Sequence, residues 1–86
     1  MSYFEIMPKG FEGKDVNPVE RAISIAEFCG KYDCFIPTSE AGVSDLWRLE
    51  YNGREYRLSK NNELVFKCYE RANIERYLSV KVFVGV

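Results

Sequence analysis

Asn52 and Gly53 stand between two runs in which apolar and charged residues alternate, Leu46–Tyr51 and Arg54–Ser59. An Asn-Gly pair so flanked predicts a β-hairpin, because both residues tolerate the positive φ that a two-residue turn requires. Such a turn sets Tyr51 opposite Arg54, Leu49 opposite Tyr56 and Trp47 opposite Leu58, so Trp47, Leu49, Tyr51, Tyr56 and Leu58 share one face. That face is the expected core, with Trp47 and Leu49 inside and Arg48 and Arg57 outside. The other face then pairs Arg48 with Arg57 and Glu50 with Glu55. Like charges directly opposite are unfavourable and are relieved only by diagonal contacts, so this face is expected to meet water or a partner.

Upstream, Asn17-Pro18-Val19-Glu20 supplies a helix N-cap, a proline at the first helical position and a Glu three residues after the cap. Val19, Ala22, Ile23, Ala26 and Cys29 then recur at helical spacing, and Gly30 gives the stop. A second apolar strip, Ile25, Phe28 and Tyr32, lies on the far side of the same predicted helix. Either the following loop covers it or a partner does. The segment Ser2–Met7 reads as a short strand ended by Pro8, Lys9–Val16 as a loop, Cys34–Ile36 as a short strand, and Thr38–Asp45 as a polar loop.

The stretch after Ser59 has two readings. One helix from Asn61 to Leu78 aligns Leu64, Val65, Cys68, Tyr69 and Ala72, yet leaves Ile74, Tyr77 and Leu78 off that stripe. The preferred reading makes Asn61-Asn62 a second tight turn, since Asn accepts the left-handed conformation. Glu63–Lys67 is then a strand with Val65 beside Leu58, and a short helix from Tyr69 to Leu78 follows. Ser79–Val86, with Val80, Val82, Val84 and Val86 on alternate positions, reads as a final strand. The expected order is β-α-β-β-β-β-α-β. This is a single α+β domain over residues 1–86, an antiparallel meander around Asn52-Gly53 with a longer N-terminal helix and a short second helix packed on it.

Composition limits function. The apolar fraction of 47% is that of a folded chain, and no apolar run approaches the length of a membrane span. A soluble, cytoplasmic protein is expected. Residues 1–46 hold 4 Lys and Arg against 8 Asp and Glu, whereas residues 47–86 hold 8 against 5. That split permits a local basic patch but lacks the overall positive balance of a dedicated DNA-binding module. Histidine is absent, and the odd trio Cys29, Cys34 and Cys68 cannot complete a tetrahedral zinc site alone. Free thiols are expected, with a Cys29–Cys34 disulfide as the alternative.

No residue pattern carries a reaction. Gly10-Phe11-Glu12-Gly13-Lys14-Asp15 has the wrong spacing and the wrong residue after Lys for a phosphate loop. Glu50 and Glu55 flank arginines on an exposed face, which favours ionised surface groups over an acid/base pair. Catalytic residues, metal and cofactors are therefore all assigned as none. The expected function is a small binding module that acts by occupying another protein's surface, through Ile25, Phe28 and Tyr32 or through Arg48, Glu50 and Arg57. Its size suits a phage or mobile-element inhibitor of a host protein. Nucleic-acid binding by the basic hairpin is the less favoured alternative, and a small enzyme without histidine is the third.

Overall fold

The computed structural model describes residues 17–84 together with the strand formed by residues 4–6. Its elements are β1 (Phe4–Ile6), α1 (Pro18–Cys29), β2 (Lys31–Pro37), β3 (Ser44–Tyr51), β4 (Tyr56–Lys60), β5 (Glu63–Cys68) and α2 (Arg71–Tyr77), and α2 runs on into a π-helical segment, Leu78–Val82. The five strands form one antiparallel sheet in the order β1-β2-β3-β4-β5. This is the expected α+β meander with a longer and a shorter helix. The predicted Lys9–Val16 loop, including its glycine motif, lies outside the described residues.

Helix α1 begins where the capping signals place it. The Asn17 side chain accepts a hydrogen bond from the Glu20 amide at 2.8 Å, and Pro18 occupies the first turn. Gly30, at φ +92°, ends the helix in the left-handed conformation and donates its N–H to Ala26 O at 2.8 Å. Its carbonyl accepts from the Tyr51 amide, tying the helix end to β3.

The buried residues of α1 are Ala22, Ile23, Ile25 and Ala26, an arc of roughly 160° at 100° per residue. Such an arc is wider than a single stripe because α1 packs against β2, β3 and α2 at once. Ile25 is therefore core, and the second strip predicted on α1 does not exist as a strip. Tyr32 lies past Gly30 in β2, where the period changes from helix to strand and Tyr32, Cys34 and Ile36 alternate inward. Cys29 is exposed, and all three cysteines are free.

The Asn52-Gly53 hairpin forms with its faces as predicted and its register moved by two residues. Asn52 Oδ1 accepts from the amides of Arg54 (3.0 Å) and Glu55 (2.8 Å), so the turn takes up residues 52–55 and the first pair is Tyr51 with Tyr56. A shift of two leaves every side chain on its own face. Leu49, Tyr56 and Leu58 are buried, Trp47 and Tyr51 are half-buried, and the rings of Tyr51 and Tyr56 stack at 4.4 Å. The outer face changes more: Glu50 now stands opposite Arg57, and Arg48 opposite Ser59. The predicted like-charge pairs vanish.

Asn61 and Asn62 take φ of +51° and +69° and join β4 to β5 as a two-residue turn. Asn61 Oδ1 also accepts from the Leu46 amide at 2.9 Å, fastening this turn to the start of β3. An irregularity in the β4–β5 pairing between Leu58 and Ser59 sets Phe66, not Val65, beside Leu58 and leaves Leu64 and Val65 exposed.

The predicted C-terminal strand does not form over its described residues, 79–84. Ile74, Leu78 and Val82 recur every fourth position and are buried with Phe83, so the chain here keeps helical periodicity and covers the sheet. Val80 and Val84 face out. The Phe83 amide donates to Leu78 O at 2.8 Å, five residues back, which closes the π turn. Burial of these side chains outweighs the β-propensity of valine, a preference that depends on packing rather than on the backbone. Because the segment stays helical, β5 has a neighbouring strand on one side only among the described residues.

Candidate functional site

The six residues singled out from the sequence do not converge. Ile25 and Tyr32 are inside the core, so of the apolar three only Phe28, 77% exposed, is open to a partner. The charged three lie on the sheet face turned away from α1, where the structure answers their charges. Arg48 makes a two-pronged hydrogen bond to buried Asp33 (Nε–Oδ1 2.7 Å, Nη2–Oδ2 3.2 Å), and Lys31 Nζ reaches the same carboxylate at 3.9 Å. The hydrogen bond and the charge of Asp33 hold Arg48 above its ordinary pKa. Arg57 pairs with Glu55 at 3.1 Å and stands across from Glu50. These groups mostly satisfy one another.

A second matched cluster joins three elements. The Tyr56 hydroxyl on β4 donates to Glu27 Oε2 on α1, and Glu27 Oε1 accepts from Arg71 Nη1 of α2 at 2.8 Å. Arg71 also reaches Glu75 and Glu20, each at 3.4 Å. Burial, and then the bond to Glu27, pushes Tyr56 above the ordinary tyrosine range, so the phenol stays protonated as a donor. Its place between α1, β4 and α2 makes it a clamp.

What remains unmatched gathers at the other margin. A groove of about 520 Å³ runs between β5 and the α2–π helix. Its floor holds Phe66 and Tyr77, whose rings stack at 4.2 Å and 15°, with Cys68 beside them and Val80, 58% exposed, on the helical wall. Lys67, Asn73, Arg76 and Lys81 border it. Strand register produces the floor: Phe66 and Cys68 lie opposite Leu58 and Tyr56 and so share their helix-facing side. The π turn produces the wall. Along the same margin Leu64, Val65 and Tyr69 are exposed, and Arg54 stands 5.8 Å over the Tyr69 ring.

Cys68 sits in the groove as a partly buried free thiol. Burial pushes its thiol up, outweighing the backbone hydrogen bonds that lower it, and Sγ donates to Glu70 O at 3.4 Å. Most cations elsewhere are matched by acids, while Arg54 instead stands over the Tyr69 ring. Lys31, Arg48, Arg57, Lys60 and Arg71 each contact a carboxylate. Lys67, Arg76 and Lys81 make no ion pair among the described residues.

Among the described residues no cluster of three His, Cys, Asp or Glu could hold a metal ion, and no helix is long and apolar enough to cross a membrane. The arrangement suits recognition: an apolar trough, an open strand edge and unanswered positive charge. Comparison with protein-family models, curated proteins and solved structures finds no match.

Proposed function

We propose that the chain is a protein-binding module that acts by occupying a partner's surface through β5 and the groove beside it. The observation that carries this reading is the coincidence of exposed Leu64, Val65, Tyr69 and Val80 with the margin where, among the described residues, β5 has no neighbouring strand. Exposed apolar side chains next to free backbone donors and acceptors are what a strand-adding or helix-docking partner uses. Charge pairing on the opposite sheet face and burial of Ile25 and Tyr32 make the surfaces expected from sequence weaker candidates.

Acting as an inhibitor of a host protein, of the kind phages and mobile elements encode, is the finer form of this proposal. It is supported by the apolar margin. Three free thiols suit a reducing, cytoplasmic setting. The test is affinity purification of the tagged protein from its native cell, with and without nuclease, beside a Leu64→Glu/Val80→Glu variant. Both positions are exposed, so the variant is expected to fold. A protein partner that survives nuclease and is lost on the variant supports the proposal. A partner retained equally by the variant, or released by nuclease, refutes it.

A further inference from the structure

Lys67 lies directly across from Arg57 in the β4–β5 register, two cations facing each other on the sheet side away from the helices. Glu55 pairs with Arg57 and Glu50 stands across from it on β3, whereas among the described residues Lys67 has no strand on its other side to supply an acid. On the helix-facing side Arg76 and Lys81 flank the apolar trough, equally unanswered among the described residues. Like charges directly opposite destabilise a sheet pair, and a carboxylate on a further strand would relieve this one.

We infer that the β5 margin takes an extended acidic peptide segment of the partner as a sixth strand. This rests on the docking role proposed above for that margin. Alternate residues of an edge strand turn their N–H and C=O outward, and these would carry the backbone pairing. Side chains of an added strand alternate between the two faces. One apolar residue then sits over the Phe66–Tyr77 stack against Val80. Its immediate neighbours, on the other face, are carboxylates that meet Lys67, and acidic residues two positions away come within reach of Arg76 and Lys81. The recognised pattern is acidic residues around a single apolar or aromatic anchor. The surplus of 8 basic over 5 acidic residues in positions 47–86 opposes such a segment in charge and speeds its encounter at low salt.

Selection of a displayed library of random ten-residue peptides against the protein tests this, with amide shifts mapping where the selected peptides bind. Acidic peptides with a central apolar residue that shift β5 amides are expected. Affinity should fall about tenfold on Arg76→Gln/Lys81→Gln, in line with two rim charges. Blocking alternate peptide amides by N-methylation should abolish binding in one of the two phases, since one phase carries the strand pairing. Selected peptides without acidic bias that still shift β5 would overturn the acidic occupant and leave the docking role standing. Peptides that instead shift Phe28 or the Arg48–Arg57 face would overturn both. Failure to select any peptide, with a single-stranded oligonucleotide shifting Lys67 and Arg76, would make nucleic acid the occupant and also overturn both.

Discussion

Around α1 and the central strands, several polar side chains among the described residues have counterparts: Glu27 with Tyr56 and Arg71 on the helix-facing side, Asp33 with Arg48 on the far face, and Asn17 with the Glu20 amide. Interior space there amounts to about 10 Å³, at the lower limit for holding a water molecule. Along β5 and the π turn, Leu64, Val65 and Val80 are uncovered and Lys67, Arg76 and Lys81 stand without acids among the described residues. Both regions are built from the same kinds of side chain. The difference lies in topology, since a central strand has neighbours to match its charges and an edge strand has half as many. Stability should therefore concentrate in the first region and sensitivity to a partner in the second.

Truncation of Ile23 to Ala should be the most damaging change, since the residue is wholly buried beneath α1. A loss of about 3 to 4 kcal/mol by urea denaturation is expected, a large part of the ~5 to 10 kcal/mol of a domain this size. A loss below about 1 kcal/mol would mean that α1 is not the centre of the core. Asp33→Ala should cost about 1 to 3 kcal/mol, because Arg48 then keeps a half-buried charge without its acceptor.

Tyr56→Phe removes the hydrogen bond to Glu27 while keeping the ring, for an expected loss of about 1 to 2 kcal/mol. It should also change the pH profile. Tyr56 holds its proton more tightly folded than unfolded, so its contribution is complete below the ordinary tyrosine value near 10 and declines as pH rises beyond it. Cys68 acts in the same direction from its ordinary value near 9. Wild-type melting temperature should fall across this alkaline window and fall less in Tyr56→Phe. Equal slopes would show that the clamp does not set alkaline stability.

The smallest effects should come from the open margin. Arg76→Gln/Lys81→Gln and, elsewhere on the surface, Phe28→Gln should each change stability by no more than about 0.5 kcal/mol. A loss above 1 kcal/mol in the charge variant would mean that those cations serve the fold.

Local signals carried most of the architecture. The Asn17-Pro18 cap, the Gly30 stop and the two Asn-containing turns depend on residues within a few positions of one another, and each acts where the sequence puts it. The two-residue shift of the hairpin escaped because it depends on the Asn52 side chain bonding two backbone amides, a choice that spacing does not reveal. Tyr32 was misassigned because a helical count continued past Gly30. Reading Val80 and Val82 as strand residues from propensity is an error, because the uncovered sheet requires a helix there. That error also concealed the groove. Phe66, Tyr77 and Val80 converge only once the segment after α2 is helical, and the basic surplus of the second half was the one trace of it in the sequence.

From β2 onward each strand pairs with the strand that follows it in the chain, across the turns 38–43, 52–55 and 61–62. Such pairings close short loops and lose little chain entropy before contacts form, so they are quick to make. Folding on a scale of roughly milliseconds is expected for a mixed domain with so many local contacts. The strand that ends this series is β5, which like β1 has a neighbouring strand on one side only among the described residues. A newly made chain therefore closes its own hairpins quickly, whereas the outer side of β5 stays open to a foreign strand after folding is complete.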